Sequence, residues 1–164
     1  MLWVPAATPP HKQGHSDMAP AADRLALVRA AVAGNERFEA SGIEVERGGT
    51  SYTVDTLRAL AERHPGADLA LILGGDSLVG FSSWREPRAI LDLARLVVYG
   101  RPGANLGDVP GWVADRTTHV EGPLLDLSST ALRARIAAGR TVRYLVPDAV
   151  CAEIDARGLY RDDA

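Results

Sequence analysis

An α/β domain with a largely parallel sheet is what this sequence predicts, on three observations. Continuous apolar runs at residues 69–73 and 96–99 have the composition of strands covered on both faces. Segments at 21–33 and after Ser128 instead carry apolar residues at helical spacing. The two kinds alternate along the chain, as in units whose parallel strands are joined by crossover helices.

Taken in order, Leu2, Trp3 and Val4 form a short apolar run that Pro5 ends, which predicts a buried strand followed by a polar, proline-rich loop over 6–20. Leu25, Leu27, Val28, Ala31 and Val32 share a helical face, and Gly34 with Asn35 stop that helix. Ile43 and Val45 alternate with Glu44 and Glu46, the pattern of a half-exposed strand. Gly48-Gly49 turns the chain toward Thr50 and Ser51, hydroxyl residues suited to cap a helix over 54–62. The strand at 69–73 ends at Gly74-Gly75, with Asp76 placed as the next N-cap. Pro87 opens a short helix over 88–93, the strand at 96–99 follows, and 101–111 is a loop rich in glycine and proline. An edge strand is expected at 118–121. Ser128-Ser129-Thr130 then caps a helix with Leu132, Ile136 and Ala137 on its inner face and Gly139 at its end, and a last helix after Pro147 carries Val150 and Ile154.

With 164 residues, 46% of them apolar, the chain has material for one hydrophobic core and is read as a single domain, 1–164. A net charge of −3 creates no field that draws a protein to nucleic acid or to an anionic membrane, so any anion site must be local. Cys151 is the single cysteine and has no internal disulfide partner. The opening MLWVPAA lacks a basic n-region and is stopped by prolines. A reducing cytoplasm is the default expectation. Every apolar run is far shorter than the roughly 20 residues that span a bilayer, so no membrane segment is expected.

Ligands of open α/β sheets bind beyond the carboxyl ends of the strands. The groups at such positions are therefore the informative ones, and each also has an ordinary structural reading. LSSTALR, residues 127–133, joins a helix start and clustered hydroxyls to Arg133 one turn on, which suits a phosphate; it equally describes a serine cap beside a solvated arginine. Pro10-His11-Lys12 offers a cation and an imidazole in a loop, for phosphate neutralisation or simply for solvent. His11 and His15 stand four apart on a loop with no carboxylate or cysteine cluster, so no metal site is expected from them. Gly74-Gly75-Asp76 lets a ligand approach a strand end and sets a carboxylate toward a ribose hydroxyl, or is a tight turn with a cap. Thr50-Ser51-Tyr52-Thr53 begins a helix with hydroxyls and N–H groups that could hold a small carboxylate, and Trp84 in FSSWRE could stack on an aromatic ring or be partly buried.

Order and spacing carry more than any single motif. VPAATPPHK at 4–12, SYTVDTL at 51–57, GGDSL at 74–78, the Trp84 segment, LSSTALR at 127–133, RYLVP at 143–147 and GLY at 158–160 together resemble bacterial nicotinate-nucleotide adenylyltransferases, from Leu2 to about Tyr160. SYTVDT and the tryptophan favour this branch of the nucleotidyltransferase superfamily over its pantetheine-phosphate relatives. The resemblance implies a Rossmann-like, doubly wound parallel sheet and adenylyl transfer from ATP, with Mg2+, to nicotinate mononucleotide. It implies that Thr53, Tyr52, Trp84 and Arg85 hold the pyridine nucleotide, with Trp84 on the ring, although Arg85 stands where the family often has an aromatic residue or a histidine. Gly74 and Asp76 are implied at the ATP site, with Asp76 facing a ribose. Lys12, Ser128, Ser129, Thr130 and Arg133 are implied along the ATP phosphates, Lys12 and Arg133 as the catalytic pair, with His11 supporting the loop. The implied partners are the two small-molecule substrates, with no nucleic acid and no membrane; an oligomer stays open.

One departure stands out. The family opens on a strand and a turn carrying GTFDPxHxGH, and this chain has no such motif; HKQGH at 11–15 has one residue too many between its histidines. A missing strand and crossover helix amount to roughly 30 residues. The expectation is that the first strand and helix of the family are absent and that Met1 stands for an internal valine whose GTG codon was taken as a start. An upstream open frame encoding the HxGH turn supports this, and a stop codon directly before Met1 refutes it. The alternative is a non-catalytic remnant that at most binds a nucleotide weakly.

Overall fold

The computed structural model describes residues 1–12, 18–100, 109–123 and 125–161, Lys12 through its backbone alone. His15 and residues 101–108 of the expected loop therefore lie outside the described residues. The chain divides into two compact units, one formed by 1–51 with 127–164 and the other by 52–126.

The 52–126 unit is built on a three-stranded parallel sheet, β3 (Ala70–Gly74), β4 (Arg95–Tyr99) and β5 (Thr117–Val120), with β4 in the middle. Helices α4 (Gly75–Val79) and α5 (Pro87–Leu93) make the first crossover, and α6 (Gly111–Ala114) lies on the second. The register sets Leu71 against Leu96 and Leu73 against Val98. Across β3 and β4 this face is aliphatic, with Thr117 and His119 continuing it on β5, and Leu78, Phe81, Ile90 and Val113 pack with its buried residues, joined by Val54 and Leu57 of α3 (Thr53–Arg63). Two-sided burial, as expected for 69–73, is not what forms. Successive strand residues point to opposite faces, and Ile72, opposite to Leu73, is 50% exposed.

The other unit opens with β1 (Leu2–Trp3), paired in parallel with β2 (Glu39–Ala40). This strand is not buried as expected: Trp3 is 44% exposed and meets Phe38 edge-on at 5.6 Å. Helix α1 (Ala21–Val32) forms where predicted, buries Leu25 and Val32, and packs against α8 (Asp148–Arg157), which contributes Ile154. The expected strand at Ile43 and Val45 is instead helix α2 (Ile43–Arg47). Ile43 and Glu44 are both buried, which neighbours on a half-exposed strand cannot be, and four residues of alternation are too few to separate a period of 2 from one of 3.6. Helix α7 (Ser129–Ala137) follows its predicted cap, and its inner residues Leu132, Ile136 and Ala137 are half-buried.

Two caps fail for a tertiary reason and a local one. Ser51 makes no cap on α3: its Oγ accepts the Ala7 N–H at 2.8 Å, while its own N–H donates to the Thr8 carbonyl. Asp76 lies within the first turn of α4, and Gly74 takes the cap position without a side-chain bond. Gly111, expected in a loop, opens α6.

Candidate active site

In the 52–126 unit, the carboxyl end of β3 runs directly into α4. Gly74 has φ −79°, a conformation open to any residue, and a Cβ built there meets no atom within 4 Å. Glycine is thus not demanded by backbone or packing; it leaves the strand end open to approach. Asp76 is exposed in the first turn that follows, where the helix dipole favours an anionic side chain.

From α4 the chain turns through Phe81–Ser83, with Trp84 N–H bonded to the Phe81 carbonyl at 3.0 Å. Phe81 is fully buried, and the half-buried Trp84 ring lies tilted against it at 5.4 Å. The core therefore fixes the indole from one side. Next, the Arg85 guanidinium sits 4.6 Å over the Tyr52 ring, a cation–π contact, with Asp55 at 3.7 Å and Glu86 at 3.8 Å. Tyr52 and Thr53 are the N-cap and first residue of α3, an end that no side chain caps. The structure thus brings Arg85 to Tyr52, beside Thr53 in sequence and on a turn shared with Trp84.

Sequence reading missed the rest of this cluster. Arg58, one turn along α3 from Asp55 at 3.6 Å, holds Glu86 in a two-pronged contact of 3.2 and 2.6 Å. That hydrogen bond pulls the Glu86 carboxyl below its ordinary pKa and raises that of Arg58. Glu86 also adopts φ 51°, ψ 56° immediately before Pro87, although a residue ahead of proline is normally extended. Charges three residues apart on a helix were visible in the sequence; their partner across the 84–86 turn was not.

In the other unit, Pro10–Lys12 forms a 3-10 turn after β1, with His11 exposed. Arg24, also unforeseen, binds three backbone carbonyls flanking this segment: Ala6 through Nη1, Ala7 through Nη2 at 2.7 Å, and Ala19 through Nε at 3.0 Å. Burial lowers the Arg24 pKa, opposed by Tyr160, itself raised by burial against the pull of Arg133 and Arg24. Tyr160 therefore stays a neutral phenol near neutral pH. Across the start of α7, Ser128 Oγ accepts the Ala131 N–H at 3.1 Å, Ser129 and Thr130 are exposed, and Arg133 donates to Thr130 Oγ1 at 3.3 Å. Hydroxyls, helix-end N–H groups and a guanidinium are collected there, a donor set matched to phosphate. Among the described residues no group of three or more His, Cys, Asp or Glu side chains is placed to hold a metal ion, and no helix is long and apolar enough to cross a membrane.

Comparison with known proteins gives this geometry its context. A family model described as cytidylyltransferase-like matches residues 1–135. A probable nicotinate-nucleotide adenylyltransferase of Salinibacter ruber is 48% identical over 97% of this chain and 81% of its own length. One from Roseiflexus sp. is also 48% identical, over 98% and 82%. Among solved structures, a Plasmodium falciparum nicotinic acid mononucleotide adenylyltransferase complexed with NaAD superposes with a TM-score of 0.72, covering 97% of this chain and 81% of that one, at 14% identity. At that identity the superposition speaks for the Rossmann-like fold alone.

Proposed function

We propose, for a chain that belongs to the cytidylyltransferase-like family and within it to the nicotinate-nucleotide adenylyltransferases, that it joins ATP and nicotinate mononucleotide into nicotinate adenine dinucleotide with release of pyrophosphate. The observation that carries this is 48% identity sustained over 97% of the chain and 81% of the relative. Identity of that extent spans both the 52–126 segment and the segments around it. We read residues 1–164 accordingly as one nucleotidyltransferase-like domain, acting in the cytoplasm on small molecules.

The reaction needs no activated nucleophile. The 5′-phosphate of the mononucleotide, with a second pKa near 6, is largely a dianion at neutral pH. One of its oxygens attacks the α-phosphorus of ATP, the bond from that phosphorus to the bridging oxygen breaks, and the electron pair leaves with pyrophosphate. Two anions must meet in line, so alignment and charge repulsion set the barrier. Lys12 and Arg133 supply cations to the phosphates, and Ser128, Ser129 and Thr130 supply hydroxyls and the N–H groups of the α7 end; His11 supports the 10–12 turn. Gly74 opens the strand end to ATP, and Asp76 accepts from a ribose hydroxyl. Trp84 stacks on the pyridine ring, while Thr53, Tyr52 and Arg85 meet its carboxylate. A cationic Arg85 and an uncapped helix end favour nicotinate over the neutral nicotinamide. Mg2+ would accompany the triphosphate and neutralise part of its charge, and the described residues build no carboxylate cage for it.

Calorimetry with nicotinate and nicotinamide mononucleotides, paired with a pyrophosphate-release assay on each, tests the reading. Release with the nicotinate form at higher kcat/KM is the expected result. Binding without release replaces an enzyme with a nucleotide-binding protein, and a preference for nicotinamide overturns the carboxylate site.

A further inference from the structure

We infer that Arg58 is a positioning residue for the pyridine site: by gripping Glu86 it holds the Trp84–Arg85 turn against the Tyr52–Thr53 end of α3. The inference rests on the pyridine-site reading above and concerns a side chain that reading leaves unused.

Three observations carry it. Arg58 and Glu86 are 45% and 44% exposed, so solvent screening limits what the pair adds to stability, while a contact made through both carboxylate oxygens fixes the direction of both groups. What the contact does is geometric. Glu86 occupies a left-handed conformation ahead of a proline, one that a side-chain-bearing residue keeps only when its surroundings impose it. Arg58 is the group on Glu86 that comes from another element, and the Glu86 carbonyl in turn accepts the Ile90 N–H that starts α5. Finally, the charges form a closed circuit: Arg58 to Glu86, Glu86 to Arg85, Arg85 to Asp55, Asp55 back to Arg58, at 2.6, 3.8, 3.7 and 3.6 Å. Two of its members, Asp55 and Arg58, stand on α3, and two, Arg85 and Glu86, on the turn that carries Trp84. The circuit therefore sets the spacing between the two segments that the pyridine nucleotide has to bridge.

Glu86→Gly separates this role from a structural one. Glycine accepts the left-handed conformation without strain, so the variant should melt at or near the wild-type temperature while losing the grip of Arg58. Calorimetry on the full chain should show Kd for nicotinate mononucleotide raised by about tenfold, as expected when a positioned group is displaced, with the Kd for ATP unchanged. Arg58→Ala should give the same loss, and combining it with Glu86→Gly should add nothing further, because one link is already broken. An unaltered Kd for the mononucleotide in both variants, with wild type binding normally, overturns the positioning role and leaves the pyridine site standing. A parallel rise in both Kd values together with a fall in Tm also overturns it, in favour of a structural contact. No mononucleotide binding by the wild type overturns the pyridine-site reading itself.

Discussion

The two units keep their candidate ligand residues in place by different means. The largest fully buried side chains, Phe81, Leu78, Ile90, Leu96, Val54, Val98 and Val113, all belong to the 52–126 unit, and Trp84 and Tyr52 pack directly against that cluster. In the unit formed by 1–51 and 127–164, the buried apolar residues Leu25, Val32, Ile43, Val142, Ile154 and Leu159 keep 4–8% exposure, and α7, which carries Ser129, Thr130 and Arg133, buries none of its residues. Guanidinium groups take over there. Arg24 ties Ala6, Ala7 and Ala19; Arg135 binds the Thr141 carbonyl through two nitrogens; Arg157 bridges Asp23 and Glu153 at 2.6 Å. The Trp84 and Tyr52 rings thus rest on a closely packed core, with the Arg58–Glu86 pair setting the turn that carries Trp84, whereas the segments carrying the proposed phosphate residues rest on charge-assisted hydrogen bonds. An aromatic ring has to be held at a fixed angle; phosphate tolerates adjustment among several donors.

The comparison breaks first, if it breaks, at the core. Phe81→Ala should destabilise the protein by about 3–5 kcal/mol in denaturant unfolding, and Leu25→Ala by clearly less, toward the lower end of about 2–5 kcal/mol. Equal losses would erase the contrast in packing. Arg24→Ala comes next, with an expected loss of about 1–3 kcal/mol as three carbonyls lose their charged donor; a loss below the range of ordinary surface substitutions would deny guanidinium bonding its role in that unit. Arg133→Ala and Lys12→Ala should leave unfolding almost unchanged but lower kcat/KM for pyrophosphate release by more than about tenfold, the scale of one lost charge-stabilising donor. Wild-type kinetics in both would remove them from the phosphate site.

The smallest effect sharpens the contrast by pH. Arg58 holds the Glu86 carboxyl below its ordinary 4.5. A carboxylate with a lowered folded-state pKa contributes its stability above the unfolded value and loses it as pH falls through the folded one. The small Tm advantage of wild type over Glu86→Gln at pH 6 should therefore shrink as pH falls below 4.5, while the gap between wild type and Phe81→Ala persists. A Glu86→Gln gap that does not respond to acid would show that the carboxylate charge is not what Arg58 grips.

Much of the fold was legible because its cause is local. Helical spacing announced α1, a continuous apolar run announced β4, and Ser128 capped α7 as its hydroxyl and position predicted. The candidate site was legible in a weaker sense: the ordered series of motifs pointed to a family, while each motif by itself also fitted a cap or a turn. What could not be read were partners distant in the chain. Ser51 has the chemistry of a cap, but Ala7, 44 residues away, takes its oxygen. Arg24 reads as one cation on an apolar helix and proves to bind carbonyls up to 18 residues off.

The sequence by itself determined the alternation of strands and helices, the residue types offered to phosphate and to a pyridine ring, and the family, since all of these depend on composition, spacing and order along the chain. Only the tertiary structure decided which sheet face is covered, so that Leu73 is buried and Ile72 half exposed, which hydroxyls are already spent on the backbone, and that Arg58 meets Glu86 28 residues away. The reason is physical: propensity and periodicity act over a few residues, whereas burial and pairing depend on what the folded chain brings to the same place.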